Sequence, residues 1–263
     1  MNIIAVDIGN MNISIALFLK DEQKTVDSIP GSSAKKITQC LKSAWQQIPI
    51  VKGSKEKKRD GTIVVSSVKP EWTKTIRKIA KDELGEKIMV IGRDIPLPMA
   101  LWVDEPDKVG TDRVVSTFAA YSVAQEAVVI ADFGTAVTID LVDDNGVFQG
   151  GVILPGFGIS AKTLKENTAK LPDIKNVTRP KEPYGKNTVE AINCGLYYSV
   201  VGALEEIIRR FAEKIGKWPR TVITGTGAKV IQEDCQFIDS FVPDLVIKGI
   251  ALTFRKYIDE KSQ

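Results

Sequence analysis

The sequence predicts an α/β protein built from two related halves, each a mixed β-sheet covered by helices. One observation is a hairpin pattern that occurs twice, at residues 3–18 and again at 128–140. In each copy an apolar strand ends in Asp-x-Gly, and a second strand follows the turn. The other observation is the element order, because a strand meander followed by helix and strand pairs is typical of a mixed sheet. An internal duplication explains both, and we expect domains at 1–108 and 109–263.

The first half begins with a predicted three-stranded meander over residues 2–29. Ser32 and Ser33 are the candidates to cap a helix that runs to about Gln47. The charged segment 52–60 is expected to be a solvated connector, and an attraction to an anionic partner is the less favoured alternative. The next elements are expected in this order: a strand at 62–66, a helix opened by Pro70 in its first turn, and a strand at 87–91.

The second half follows a proline-rich linker that spans residues 95–106. A helix is predicted after Val109, with Gly110 or Thr111 as its cap, so that Asp112 falls in its first turn near the positive end of the helix dipole. Thr188 is the predicted cap of a long helix over about 189–214. The other expected elements are the second hairpin, a strand toward 150–154, a helix through Leu164, an exposed loop at 178–187, a strand and glycine-rich turn at 221–228, a helix to Ile231 and a final helix at about 245–257.

Composition excludes several classes of protein. The chain has 263 residues, 43% hydrophobic and 26% charged, and a net charge of +3, which is small for a nucleic-acid binder. No apolar run approaches the roughly 20 residues of a membrane span, and the chain opens directly in a predicted strand. We therefore expect a cytoplasmic protein that binds neither nucleic acid nor membrane.

The rarest side chains also limit the chemistry. There is no histidine, so histidine triads, histidine metal ligands and imidazole bases are excluded. Phosphoryl transfer tolerates this absence, because its catalysis is mostly positioning and charge neutralisation. Cys40, Cys194 and Cys235 lie far apart in sequence, and each is expected to be a small buried apolar residue in a reducing compartment.

The two hairpins have the composition of phosphate-binding turns. Glycine removes the Cβ that would keep a phosphate from backbone N–H groups, and the aspartate lies where a cation that accompanies the phosphate would be. Either dipeptide alone is weak support, but the two copies share their strand context. Together with the glycine-rich turn at 224–227 they predict a nucleotide site between two facing domains.

Six motifs in order resemble one family over nearly the whole chain. The turn order resembles the superfamily of sugar kinases, heat-shock chaperones and actin, whose fold is a pair of ribonuclease H-like, or actin-like ATPase, domains with a cleft between them. The full set is similar to type III pantothenate kinase. The motifs are Asp7-Ile8-Gly9-Asn10, Pro106 with Gly110-Thr111-Asp112-Arg113, Asp132-Phe133-Gly134-Thr135-Ala136, Gly150 to Gly156, Thr168 to Pro172, and Gly185 to Ile192.

The resemblance implies an ATP-dependent phosphorylation of pantothenate, the first step of coenzyme A synthesis, by a homodimer. It implies that Asp112 is the catalytic base and that Asp132 binds an activating monovalent cation, K⁺ or NH₄⁺. The implied ATP-binding residues are Asp7, Ile8, Gly9, Asn10, Met11, Asn12, Ile13, Ser14 and Thr135. The implied pantothenate-binding residues are Gly110, Thr111, Asp112, Arg113 and Thr188.

Elementary chemistry is consistent with these roles. ATP brings several negative charges, and Mg²⁺ should mediate through water between them and Asp7. Asp112 as a base would contribute about 10²–10⁴ in rate, although a local pairing with Arg113 is the alternative. Arg113 can bind a carboxylate with two hydrogen bonds. Thr188 can be a helix cap, a ligand contact, or both.

Three departures from the family pattern keep other functions open. Met11 stands where the family has a threonine, Val103 where it has a tyrosine, and the adenosine turn reads Thr224-Gly225-Thr226-Gly227. The favoured hypothesis is the kinase. The alternatives are a catalytically weakened nucleotide-binding regulator on the same fold, and a kinase or ATPase of the superfamily with another substrate.

Overall fold

The computed structural model describes residues 1–54 and 58–262. The middle of the predicted charged connector at 52–60 lies outside the described residues. Contacts between residues divide the chain into two compact units. The first contains Met1–Ala100, Glu105–Ala119 and Val246–Gln263, and the second contains Leu101–Asp104 and Ala120–Leu245.

The first unit contains a five-stranded mixed sheet in the order β3-β2-β1-β4-β5. The meander is antiparallel, whereas β4 and β5 run parallel to β1. Its elements are β1 (Ile3–Ile8), β2 (Asn12–Leu19), β3 (Glu22–Pro30), α1 (Ala34–Gln47), β4 (Thr62–Ser67), α2 (Pro70–Ile79) and β5 (Ile88–Val90), with α3 (Thr111–Ala124) and α7 (Leu245–Lys261) added from later in the chain.

The central strand β1 is buried on both faces of the sheet, and its successive side chains point to opposite sides. On one face Ile4, Val6 and Ile8 pack with the apolar sides of α1 and α2. On the other face Ile3 and Ala5 pack with residues of α3 and α7. This explains why strand β1 is apolar along nearly its whole length.

The second unit repeats the same topology. Its sheet has the order β8-β7-β6-β9-β10, with β6 antiparallel to β7 and parallel to β9. The elements are β6 (Val128–Phe133), β7 (Ala136–Val142), β8 (Phe148–Pro155), α4 (Phe157–Glu166), α5 (Thr188–Ile215), β9 (Arg220–Thr224), α6 (Ala228–Ile231) and β10 (Ser240–Phe241). Strands β6 to β10 therefore correspond one to one with β1 to β5, which confirms the predicted α/β fold of two related mixed sheets.

Most predicted elements are present, and the differences are local. Ser33 is the residue before α1, as predicted, but its side chain makes no capping hydrogen bond. Strand β10, a π-helical turn at Ala80–Leu84 and a 3₁₀ turn at Pro106–Lys108 were not predicted. Cys194 and Cys235 are buried as predicted, whereas Cys40 is only half-buried.

The compact units do not follow a single cut of the chain. Residues 105–119 and 246–263 belong to the first unit because α3 and α7 cover the second face of its sheet. Gly249 of α7 allows this packing, since a Cβ there would overlap the backbone of Val115 in α3. The boundary that the sequence predicts, between residues 108 and 109, concerns the two duplicated halves of the chain, and it stays a prediction.

Candidate active site

The first hairpin places Asp7 between two hydroxyl groups. Asp7 is next to the last residue of β1, and its register partners are Ser14 on β2 and Ser66 on β4. Asp7 and Ser14 are half-buried, and Ser66 is fully buried. The strand end therefore presents a carboxylate flanked by hard oxygen donors.

The turn of this hairpin is tight and open to solvent. The N–H of Gly9 donates to the carbonyl of Asn12 at 3.0 Å, and the N–H of Gly31 donates to the carbonyl of Met11 at 3.0 Å. Asn10, Met11 and Asn12 are exposed. The turn is therefore fixed at its backbone while its outer face is accessible to a ligand.

Hydroxyl contacts join the Gly110–Arg113 motif to the end of β4. The side-chain oxygens of Thr111 and Ser66 lie 2.9 Å apart, and the N–H of Ser67 donates to the Thr111 oxygen at 3.2 Å. Because Ser66 is the register partner of Asp7, these bonds place the start of α3 beside the strand that carries Asp7. Two predicted site segments thus meet within the first unit.

The carboxylate of Asp112 folds back over the first turn of α3. Its Oδ1 accepts from the N–H of Arg113 at 2.8 Å. A Cβ at position 110 would overlap this same oxygen, so glycine leaves room for the carboxylate in this position. Burial raises the pKa of Asp112 above its usual value, and the N–H and positive charge of Arg113 only partly oppose this rise. A carboxylate with a raised pKa is a suitable proton acceptor.

The second hairpin repeats the environment of the first. Asp132 is next to the last residue of β6, and its register partners are Thr138 on β7 and Thr224 on β9. Each aspartate therefore lies on the central strand of its sheet with a hydroxyl residue on either side. This correspondence extends the duplication from the topology to the site residues.

Glycine-rich turns of the second unit gather around Asp132. Gly225 has φ of +88°, and a Cβ there would lie 2.5 Å from Oδ1 of Asp132. The N–H of Gly156 donates to the carbonyl of Thr135 at 3.2 Å, and the N–H of Gly227 donates to that of Phe133 at 3.0 Å. The predicted phosphate turn and the predicted adenosine turn are therefore neighbours.

The predicted cap of α5 is wrong by one residue. Asn187 is the cap, and its side chain accepts from the N–H of Glu190 at 3.0 Å. The Glu190 carboxylate in turn accepts from the N–H of Lys186 at 2.9 Å, so the two side chains close the helix end reciprocally. Thr188 is exposed at the first helical position, with its hydroxyl not needed for capping.

Sequence reasoning missed the segment that follows Ser66. Ser67 accepts from the hydroxyl of Thr73 at 2.6 Å and from the N–H of Lys69 at 3.1 Å. The ammonium of Lys69 lies 3.3 Å from the carbonyl oxygen of Asn10 in the first turn. Residues 66–69 thus connect the hairpin, α2 and α3, and no motif in the sequence marks them.

A family model described as type III pantothenate kinase matches residues 3–210 of this chain. The chain belongs to the type III pantothenate kinase family. A type III pantothenate kinase of Dehalococcoides mccartyi (strain CBDB1) is 32% identical over 257 residues, which cover 96% of this chain and 95% of the relative. A type III pantothenate kinase of Syntrophobacter fumaroxidans (strain DSM 10017 / MPOB) is 35% identical over 196 residues, which cover 74% of this chain and 76% of the relative.

Solved structures with the same fold are more distant from this pantothenate kinase family member in sequence. A Baf family transcriptional activator from Campylobacter jejuni has a TM-score of 0.60 at 17% identity, covering 98% of both chains. The ethanolamine utilization protein EutJ from Carboxydothermus hydrogenoformans has a TM-score of 0.52 at 14% identity, covering 95% of this chain and 89% of its own. These likenesses show the fold alone, so the activator carries no argument for the regulator alternative.

Each of the two aspartates has hydroxyl residues as its register partners, so both positions offer oxygen ligands. One carboxylate with flanking hydroxyls suits a Mg²⁺ ion that keeps most of its water and binds substrate phosphates. The described residues contain no group of three acidic or cysteine side chains that would hold a metal alone. None of the helices in the described part of this family member is long and apolar enough to cross a membrane.

Proposed function

We propose that this chain transfers the terminal phosphoryl group of ATP to pantothenate and forms 4′-phosphopantothenate, the first step of coenzyme A biosynthesis. Membership of the family carries the assignment. The described site supports it, because the contact between Thr111 and Ser66 holds the start of α3 next to the end of β4. The Asp112 carboxylate on this first turn accepts from the N–H of Arg113.

In the proposed reaction Asp112 is the base. The acceptor hydroxyl oxygen forms a bond to the γ-phosphorus, the bond from that phosphorus to the β–γ bridging oxygen breaks, and ADP leaves. The hydroxyl proton passes to the carboxylate of Asp112. Arg113 binds the carboxylate of pantothenate with its guanidinium, which is the side chain best suited to two parallel hydrogen bonds. Thr188, Gly110 and Thr111 complete the proposed acceptor site.

The proposed ATP-binding residues lie on both hairpins. The segment from Asp7 to Ser14 binds the ATP phosphates, and Thr135 adds a contact from the second hairpin. Asp7 holds Mg²⁺ through water, and this ion neutralises charge on the phosphates when it is bound. Asp132 binds the monovalent cation, K⁺ or NH₄⁺, because its carboxylate is flanked by the hydroxyl residues Thr138 and Thr224.

A homodimer is the proposed assembly. The second unit exposes large apolar side chains on β8, on α4 and on α5, and we propose that the partner subunit covers them. They are Ile153, Ile159, Val189 and Tyr198. Ile153→Glu should convert dimers to monomers in sedimentation experiments. Val123→Glu is the matched control, because Val123 is also exposed but lies on α3. A dimer that withstands Ile153→Glu would reject this face.

The decisive experiment measures phosphopantothenate formation from ATP and pantothenate, with and without K⁺. Turnover that requires pantothenate supports the proposal, and Asp112→Asn should reduce kcat by about 10²–10⁴. ATP binding without product would favour the regulator, and turnover with another acceptor would favour a different kinase. A cytoplasmic location is proposed with this activity.

A further inference from the structure

We propose that Lys69 binds the polyphosphate of ATP at the first hairpin and supplies the positive charge that the hairpin itself lacks. The proposal rests on the proposed function, because it adds a ligand to the same donor site. Lys69 lies just after β4 and immediately before Pro70, the first residue of α2. It is separated from the hairpin by about 60 residues of sequence, so no local pattern points to it.

The position of the ammonium group carries the inference. The Nζ atom lies 3.3 Å from the carbonyl oxygen of Asn10 and 3.8 Å from the centre of the Trp72 ring. An ammonium has three N–H donors, and the Asn10 carbonyl takes one of them. Lys69 is half-buried, whereas Asn10 and Met11 are exposed, so the ammonium contacts the exposed part of the turn.

Neighbouring groups hold the lysine in this place. The N–H of Lys69 donates to the hydroxyl of Ser67 at 3.1 Å, which fixes its backbone. Trp72 lies under the ammonium and packs so closely on Gly31 that a Cβ there would overlap its ring. Gly31 in turn donates to the carbonyl of Met11. The lysine and the turn are therefore joined through a continuous set of contacts.

The charge balance of the hairpin explains why such a lysine is needed. From Asp7 to Ser14 the only ionisable side chain is the aspartate, which repels phosphate. Met11 has no hydroxyl to donate. A lysine ammonium binds phosphate as a point charge, and the positive end of α2 starts at the same position and acts in the same direction.

The experiment compares nucleotides that differ only in their phosphates. Calorimetric titration with ATP, ADP and AMP measures the affinity for each nucleotide. Lys69→Gln should weaken the binding of ATP and ADP by at least about tenfold, and it should change the affinity for AMP by no more than about twofold. Lys69→Arg keeps the charge and should keep most of the preference for ATP over AMP. Lys74→Gln is the matched control, since it removes the same charge from an exposed position on α2, and it should bind like the wild type.

Several outcomes would overturn the proposal. If Lys69→Gln weakens the binding of all three nucleotides equally and lowers the melting temperature, Lys69 only stabilises the turn. Unchanged ATP affinity would remove it from the site. If Lys69→Gln does not fold, a folded Lys69→Arg that has lost the preference for ATP also rejects it. The titrations contain no pantothenate, so their result does not depend on whether pantothenate is the phosphoryl acceptor. A failure of this proposal can therefore be distinguished from a failure of the proposed function.

Discussion

The hydroxyl oxygens of Ser66 and Thr111 lie 2.9 Å apart although the residues are 45 positions apart in sequence. Ser66 is fully buried at the end of β4, directly beside Asp7, and Thr111 is the first residue of α3. The contact therefore joins the start of α3, which carries the proposed base Asp112, to the strand residue beside Asp7.

Removal of this contact should lower turnover more than stability. Thr111→Val keeps the shape of the side chain and removes the hydroxyl, and we expect a fall in kcat on the order of tenfold, because small misplacements of reacting groups are costly. Ser66→Ala should have a similar effect. In the double variant the two losses should not add, with a coupling of about 1 kcal/mol. Thr75→Val on the exposed side of α2 is the control, and additive losses would contradict the link.

Replacement of Asp112 by asparagine should stabilise the protein at neutral pH while it lowers turnover. Burial raises the pKa of Asp112 above its usual 3.8, which means that desolvation makes the ionised carboxylate less favourable in the folded chain than in the unfolded chain. Asparagine removes this cost, and we expect a gain on the order of 1 kcal/mol in the free energy of unfolding.

The gain should depend on pH in one direction. It is fully present above the raised pKa of the folded state, and it decreases as the pH falls through that pKa toward 3.8, where both states of the wild type become protonated. Denaturant unfolding of wild type and variant between about pH 7 and pH 4 measures the difference. A gain that is constant over this range would have another source.

The same ionisation should appear in the kinetics. If Asp112 must be ionised to accept a proton, kcat/KM should rise with pH along a limb whose apparent pKa lies above 3.8. Residual turnover of Asp112→Asn should lack this limb. Wild-type activity that is independent of pH across the acid range would argue against a base with a raised pKa.

Gly110→Ala should displace the base without unfolding the chain. The added Cβ would overlap Oδ1 of Asp112, so the carboxylate must turn away. We expect kcat to fall by about 10², the cost of a misplaced catalytic group. Gly202→Ala is the control, because a Cβ there meets nothing within 4 Å, and inside helix α5 alanine should add about 0.5–1 kcal/mol of stability. Equal activity of the two variants would contradict the close approach.

At the start of α5, helix capping and the proposed substrate contact belong to different residues, Asn187 and Thr188, and can be tested separately. Asn187→Ala should lower the free energy of unfolding by about 1 kcal/mol, because the Glu190 N–H loses its partner. Thr188→Ala should leave stability unchanged and raise the KM for pantothenate. Thermal unfolding and steady-state kinetics of both variants test this. A larger loss of stability for Thr188→Ala would restore threonine as the cap.

Local patterns of the sequence predicted the elements and their types. Apolar strands ending in Asp-x-Gly gave both hairpins, and the helix after Gly110 begins where its cap residues and Asp112 indicated. Such features depend on residues a few positions apart, so they can be read along the chain. The two-residue strand β10 could not be predicted, because it is too short to show a period of two.

Tertiary structure alone decided which segments meet. The Thr111 contact with Ser66, the Lys69 contact with Asn10 and the packing of α7 on the first sheet join residues 45 or more positions apart. The helix cap at Asn187 instead of Thr188 could not be predicted, because either side chain can cap a helix. The position at which the chain enters the helix decided between them. The motifs therefore determined which residue types are proposed to carry the chemistry. The sheet register and the packing of α3 decided how those residues are placed. The sequence could not predict this placement, because non-local contacts leave no periodic signal along the chain.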